Sequence, residues 1–322
     1  MLKALIASTI LLAGSISMAQ LRGPRPGYEN YGNPAVKTFM PPNGAHQMDR
    51  VERTSQITEE QFNEIVDNVV KHWEPIAAAK GVKLVAHKLW NDSTVNAVAY
   101  QSGKTWNIEM YGGLARRPEV TPDGFALVVC HELGHHFGGY VFYGDNNWAS
   151  TEGQSDYWAT NVCAKVVWGN EFRQNEGFRR IRNVPPSVQQ ACGTAFPSNT
   201  NQQGWCVRAA AGGHSLASLL AALGREKQPQ FETPDTTVVT RTNTQHPRAQ
   251  CRLDTYFAGA LCNKPFDLNV IPAKNHPNGQ NSKEAEAESM KYTCFEVEGM
   301  KAAARPACWF KGQLDKPAFR RF

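Results

Sequence analysis

Residues 126–139 read ALVVCHELGHHFGG. His131 and His135 stand four positions apart, and on a helix such residues lie one above the other on one face. Two imidazoles so placed can point at one ion, and Glu132 sits close enough to handle the proton of an ion-bound water. This stretch constrains the fold more than any other. It requires a helix here, and it requires a second element that carries further donors to the same face. The flanks agree. Thr121, Pro122 and Asp123 supply a cap, a proline at the first helical position and an early acid, and Gly138 and Gly139 stop the helix.

Two histidines make half a site. A catalytic zinc usually takes three protein ligands and leaves one position to water. A third histidine in the H-E-x-x-H-x-x-G-x-x-H pattern is ruled out, because Val141 holds that position. The other solution is a carboxylate from the next helix, and STEGQSDYWA at 150–159 offers one. Glu152 follows His135 after a loop long enough to turn back. Asp156 lies four residues further on the same helical face, where it can accept the second N–H of a ligating histidine. The residues therefore give His131, His135 and Glu152 as ligands of one zinc ion, Glu132 as general base and Asp156 as the support of a ligand. His136 faces about 100° away from His135 and reads as a surface or second-layer residue.

A helix is expected from Thr58, with Gln61 completing a capping box and Phe62, Val66, Val69 and Val70 at helical spacing. Gly81 ends that region. Strands are expected over 82–90, 95–100 and 105–111, the last two flanking the turn QSGK. A second zinc-side helix spans 152–168. Residues 170–211 read as loop-rich, 215–224 as a short apolar helix, and 228–247 as a long connection. A helix over 247–262 and a polar helix near 282–293 complete the chain. The expected fold class is α+β, mainly helical with a small antiparallel or mixed sheet.

The first twenty residues, MLKALIASTILLAGSISMAQ, have Lys3, an apolar run and small residues near Ala19. They read as a secretory signal peptide over 1–19, with the mature chain starting near Gln20. Residues 20–57 are rich in Gly, Pro and Asn and read as an extended arm. The body then spans 58–262, with an extension over 263–322. Export makes disulfides the expected state of the eight cysteines. Cys192 with Cys206 and Cys294 with Cys308 are the local pairings. Cys251 and Cys262 share a helix at about 16 Å spacing, so each ties it to another segment. With 41% hydrophobic and 20% charged residues the chain can build a core. Its net charge of +5 is spread out, which argues against a nucleic-acid partner. No long apolar run follows the leader, so no transmembrane segment is expected in the mature chain.

Five stretches carry a family resemblance: NAVAY at 96–100, WNIEMYGGL at 106–114, HELGH at 131–135, EGQSD at 152–156 and HPRAQCR at 246–252. Together they resemble the HtpX-like zinc metallopeptidases, the CAAX prenyl endopeptidase-type gluzincins, as a soluble exported member. The resemblance implies a zincin-like fold over roughly 58–260. It implies that His246 and Arg252 contact substrate or the intermediate in the cleft. It also implies that 105–111, with Trp106, Ile108 and Met110, is the edge strand on which substrate pairs. The expectation is an exported, periplasmic or secreted zinc endopeptidase acting on protein or peptide substrates. The alternative is an envelope chaperone or assembly factor that keeps the fold with little proteolysis.

Overall fold

The computed structural model describes residues 36–41 and 57–315. The expected signal peptide and most of the expected arm lie outside the described residues. The fold is mixed α+β. A short strand, β1 (Lys37–Thr38), precedes α1 (Glu59–Val70), α2 (Glu74–Ala79), β2 (Lys83–Leu89), β3 (Ala97–Ser102) and β4 (Thr105–Tyr111). After them come α3 (Gly112–Ala115), α4 (Pro122–Phe137) and α5 (Glu152–Trp158). A π-helical segment, Ala159–Cys163, joins α5 to α6 (Ala164–Trp168). The remaining helices are α7 (Phe172–Arg179), α8 (Pro186–Ala195), α9 (Thr200–Gly224), α10 (Ala249–Leu261) and α11 (Lys283–Ser289).

The sheet order is β1-β3-β4-β2, with β3 and β4 antiparallel and β2 and β4 parallel. The expected hairpin and mixed sheet are therefore present, but β4 is not an edge. It is bonded on both sides, to β3 and to β2, so Trp106, Ile108 and Met110 offer no open backbone to a substrate strand. The strand next to the outside is β3, and the short β1 pairs with it antiparallel. The reason is the crossover: α1 and α2 pack against β2 and carry it in parallel to the far side of β4.

Helix α4 is the centre of the molecule. It touches β3, β4, α1, α5 and α9, and every residue from Gly124 to Phe137 is buried. That enclosure explains a helix apolar all round except for its motif. At its start Thr121 caps by accepting from the Gly124 N–H. Helix α1 buries Phe62, Val66, Val69 and Val70, and its capping box of Thr58 and Gln61 is formed in both directions.

Residues 170–211 are mainly helical rather than loop-rich. They hold α7, α8 and the first half of α9, a helix of 25 residues that continues the short apolar stretch expected at 215–224. Glycines within α9 serve close packing. A Cβ on Gly213 would lie 2.6 Å from Cβ of Tyr256, so its absence lets α10 approach α9. Helix α9 has the length and apolar content of a membrane span, and 72% of its most apolar window is buried inside the protein.

Four disulfides close the fold: Cys130–Cys163, Cys192–Cys206, Cys251–Cys308 and Cys262–Cys294. They are consistent with an oxidising compartment. The 192–206 pairing and the outward ties of Cys251 and Cys262 are as expected. The expected Cys294–Cys308 bond is not formed, because each of these cysteines instead anchors a different turn of α10 to the extension.

Candidate metal centre

Helix α4 presents His131 and His135 one turn apart, with ring centroids 4.8 Å apart and planes at 88°. The chain then turns back, and its backbone locks the return: Ser150 N–H donates to His135 O and Thr151 N–H to Val141 O. Glu152 opens α5. The two helices meet at Gly134, where a Cβ would lie 2.9 Å from Cα of Ser155. Glycine between the two histidines is thus what lets the Glu152 helix come close.

His131 Nε2 lies 3.3 Å from Glu152 Oε2, and His135 Nε2 lies 3.7 Å from Glu152 Oε1. One donor atom from each of the three residues can be chosen so that all lie within 4.8 Å of one another. Two ligands about 2.05 Å from a tetrahedral ion stand about 3.3 Å apart, so the spacing suits such an ion. His131 Nε2, His135 Nε2 and Glu152 Oε2 are buried without a hydrogen-bond partner, as are both carboxylate oxygens of Glu132. Unpartnered buried polar atoms of this kind are where a bound ion or water supplies the missing partner. The opposite ring edges are fixed. His131 Nδ1 donates to Asp156 Oδ1 at 2.7 Å, and His135 Nδ1 donates to Ser150 O at 2.9 Å. Both contacts select the tautomer that leaves Nε2 free for a cation.

The charges are set by these neighbours. Burial would lower His131, but Asp156 and Glu152 override it and raise the imidazole to about 9. Burial pushes His135 down to about 3. Glu152 is held well below the usual carboxylate range by His246, His135 and His131 in spite of burial. Burial carries Glu132 well above that range.

The structure brings His246 and Arg252 to this cluster. His246 Nε2 lies 3.4 Å from Glu152 Oε2 and donates to Thr38 O at 2.7 Å. Arg252 is fully buried. Its Nε and Nη2 grip the Asp156 carboxylate, and Nη1 donates to Phe39 O at 2.8 Å. Two of its hydrogen bonds therefore hold Asp156 against His131, and Nη2 also donates to the Tyr256 hydroxyl. Trp106, Ile108 and Met110 are not at the cleft. They are core residues, and Trp106 stacks on His136 at 5.1 Å with planes 7° apart. His136 is fully buried rather than at the surface, and it donates from Nε2 to Asn107 O.

Tyr143 escaped the sequence reading. Its hydroxyl donates to Glu152 Oε1 at 2.6 Å, and burial first, then Glu152, pushes that hydroxyl's pKa well up. It sits in the irregular return loop, where no periodicity marks it. A second grouping of metal-type donors, Asp235 with Cys251 and Cys308, has both sulfurs in a disulfide. Among known proteins, no family model, no curated sequence and no solved structure matches the chain.

Proposed function

We propose that this chain is an exported zinc endopeptidase, periplasmic or secreted, with a zincin-like fold of the HtpX-like type. The observation that carries the reading is the set of buried donor atoms on His131, His135 and Glu152, unpartnered and spaced for one ion, with the unpartnered carboxylate of Glu132 next in sequence to His131. Two imidazoles and a carboxylate are a donor set of catalytic zinc sites. Bound there, zinc supplies Lewis acidity and makes water acidic enough to react near neutral pH.

The chain's own residues do the rest. Glu132 takes a proton from the attacking water and returns it to the leaving amine. Its burial suits it to hold that proton between the two transfers. His246 donates its Nε2 hydrogen to a peptide carbonyl, as it does to Thr38 O, and stabilises charge that develops on such an oxygen. Asp156 and Arg252 keep the His131 ring in place. A peptide would enter extended along β3, whose backbone gives affinity with little demand on sequence.

The test is Glu132→Gln. The variant should keep zinc and lose cleavage of an unfolded reporter protein, whereas undiminished cleavage would eliminate the proposed base. Glu152→Ala should lose the zinc itself, and unchanged stoichiometry and affinity would remove Glu152 from the site.

A further inference from the structure

The four central residues His131, Glu132, His135 and Glu152 are all 0% exposed. A hydrolytic site must be reachable by its substrate, and what stands in the way is a piece of this same chain. Lys37 and Thr38 pair antiparallel with Ala99 and Val98 of β3. Phe39 N–H donates to Ala97 O at 3.0 Å, and Met40 N–H to Asn96 Oδ1 at 2.9 Å. On the other edge, the carbonyls of Thr38 and Phe39 accept from His246 and Arg252. Both edges of the segment are thus held as a bound peptide strand would be.

Its side chains fill the approach to the centre. Lys37 and Phe39, two apart, share one face of the strand. The Phe39 ring stands edge-on to His131 at 5.2 Å, with the Arg252 guanidinium 4.5 Å from its centre. The Lys37 ammonium lies 3.8 Å over the ring of Tyr143, the residue that holds Glu152. Beyond Met40 and Pro41 the path continues into a cavity of about 210 Å³ lined by Leu220, Leu223 and His246.

We propose that residues 36–41 are an intramolecular occupant of the peptide groove, and that this groove takes an extended segment with a basic residue two positions before an aromatic one. The inference rests on the peptidase reading above. The backbone contacts are ones any peptide can make. The contacts of Lys37 and Phe39 are the selective ones. The two-residue strand β1 is short, and displacement of the segment exposes the centre.

The test uses a fluorescent hexapeptide of sequence VKTFMP and fluorescence polarisation. The full chain carrying Glu132→Gln is compared with the same chain carrying Phe39→Ser and Met40→Ser as well. The loosened chain should bind the peptide about tenfold more tightly, since a groove open a tenth of the time weakens apparent affinity by that fraction. The gain should vanish for a hexapeptide with Lys37→Glu and Phe39→Ser. A folded double variant that binds no tighter, or that binds both peptides alike, overturns the proposal. Where two serines unfold the chain, Phe39→Ala alone carries the same comparison.

Cleavage is read separately, in zinc-loaded chains with Glu132 intact. Faster reporter cleavage by the loosened chain supports the proposal. Gained peptide capture with no cleavage keeps the groove and overturns the peptidase reading. Cleavage without gained capture overturns the groove.

Discussion

Arg252 grips Asp156 through two nitrogens, at 2.6 and 2.7 Å, and both residues are wholly buried. The same carboxylate accepts from His131 Nδ1, so a line of contact runs from helix α10 through α5 to a proposed metal ligand on α4. Arg252→Met leaves Asp156 a buried charge with one partner fewer. Losing a partner of a buried pair costs about 3–5 kcal/mol, and losing support behind a ligating histidine costs about 10–100-fold in metal affinity. Denaturant melts and chelator competition measure the two effects. Metal affinity unchanged in a folded Arg252→Met protein would show that the line does not reach the site.

Much of this centre was legible in the sequence because its geometry is local. H-E-x-x-H fixes two rings on one helical face, and E-x-x-x-D fixes two carboxylates on the next, so Glu152 and Asp156 were found from spacing alone. Tyr143 was not, because it acts from an irregular loop. The role of β4 was misread because a strand's neighbours depend on the crossover before it, which places β2 on its far side. The first half of α9 is poorly marked in sequence because Gly204, Gly212 and Gly213, which serve close packing there, have low helix propensity. Three cysteine partners were hidden for a similar reason. The bonds from Cys130, Cys251 and Cys262 span 33, 57 and 32 residues, and separations of that size carry no local signal.

Gly134 tests whether helix approach sets the geometry of the proposed metal site. A Cβ there meets Ser155 backbone at 2.9 Å, and backbone cannot swing aside as a flexible side chain can. Gly134→Ala should therefore push α5 away from α4 at the point where Glu152 and Asp156 are delivered. Overpacking of this kind costs about 1–3 kcal/mol. The metal affinity should fall by more than that of Gly193→Ala, a helical glycine with open space at its Cβ. Equal affinities in the two variants would argue that the Glu152 position does not depend on this crossing.

The Cys251–Cys308 bond closes a separation of 57 residues and joins α10, which carries Arg252, to the extension. Loop-closure entropy for a ring of that size amounts to about 4 kcal/mol. Replacing both cysteines by alanine should lower the stability by up to that amount. The Cys192–Cys206 bond, with a separation of 14, should matter less, at about 3 kcal/mol. Denaturant midpoints of the two double variants give the comparison. A larger loss at 192–206 would mean that strain or local packing, not chain entropy, dominates here.

Lys165 gives a pH dependence that is independent of the proposed metal centre. Its ammonium donates to Cys262 O and to Asn161 Oδ1, and desolvation lowers it from 10.5 to about 7. Below pH 7 the lysine is charged in both the folded and the unfolded chain, so the folded chain carries the full cost of enclosing the charge. Between pH 7 and 10.5 the unfolded chain binds more protons than the folded one, and stability must rise with pH. The rise is roughly 1.4 kcal/mol per pH unit at most, or about 2 kcal/mol from pH 7 to 9 once partial titration at pH 7 is included. Other groups titrate over the same range, so the quantity to measure is the stability difference between wild type and Lys165→Met. The variant should be the more stable at pH 7, with an advantage that shrinks by pH 9. A difference that does not change with pH would mean that the ammonium keeps its ordinary pKa and that water reaches it in the folded chain.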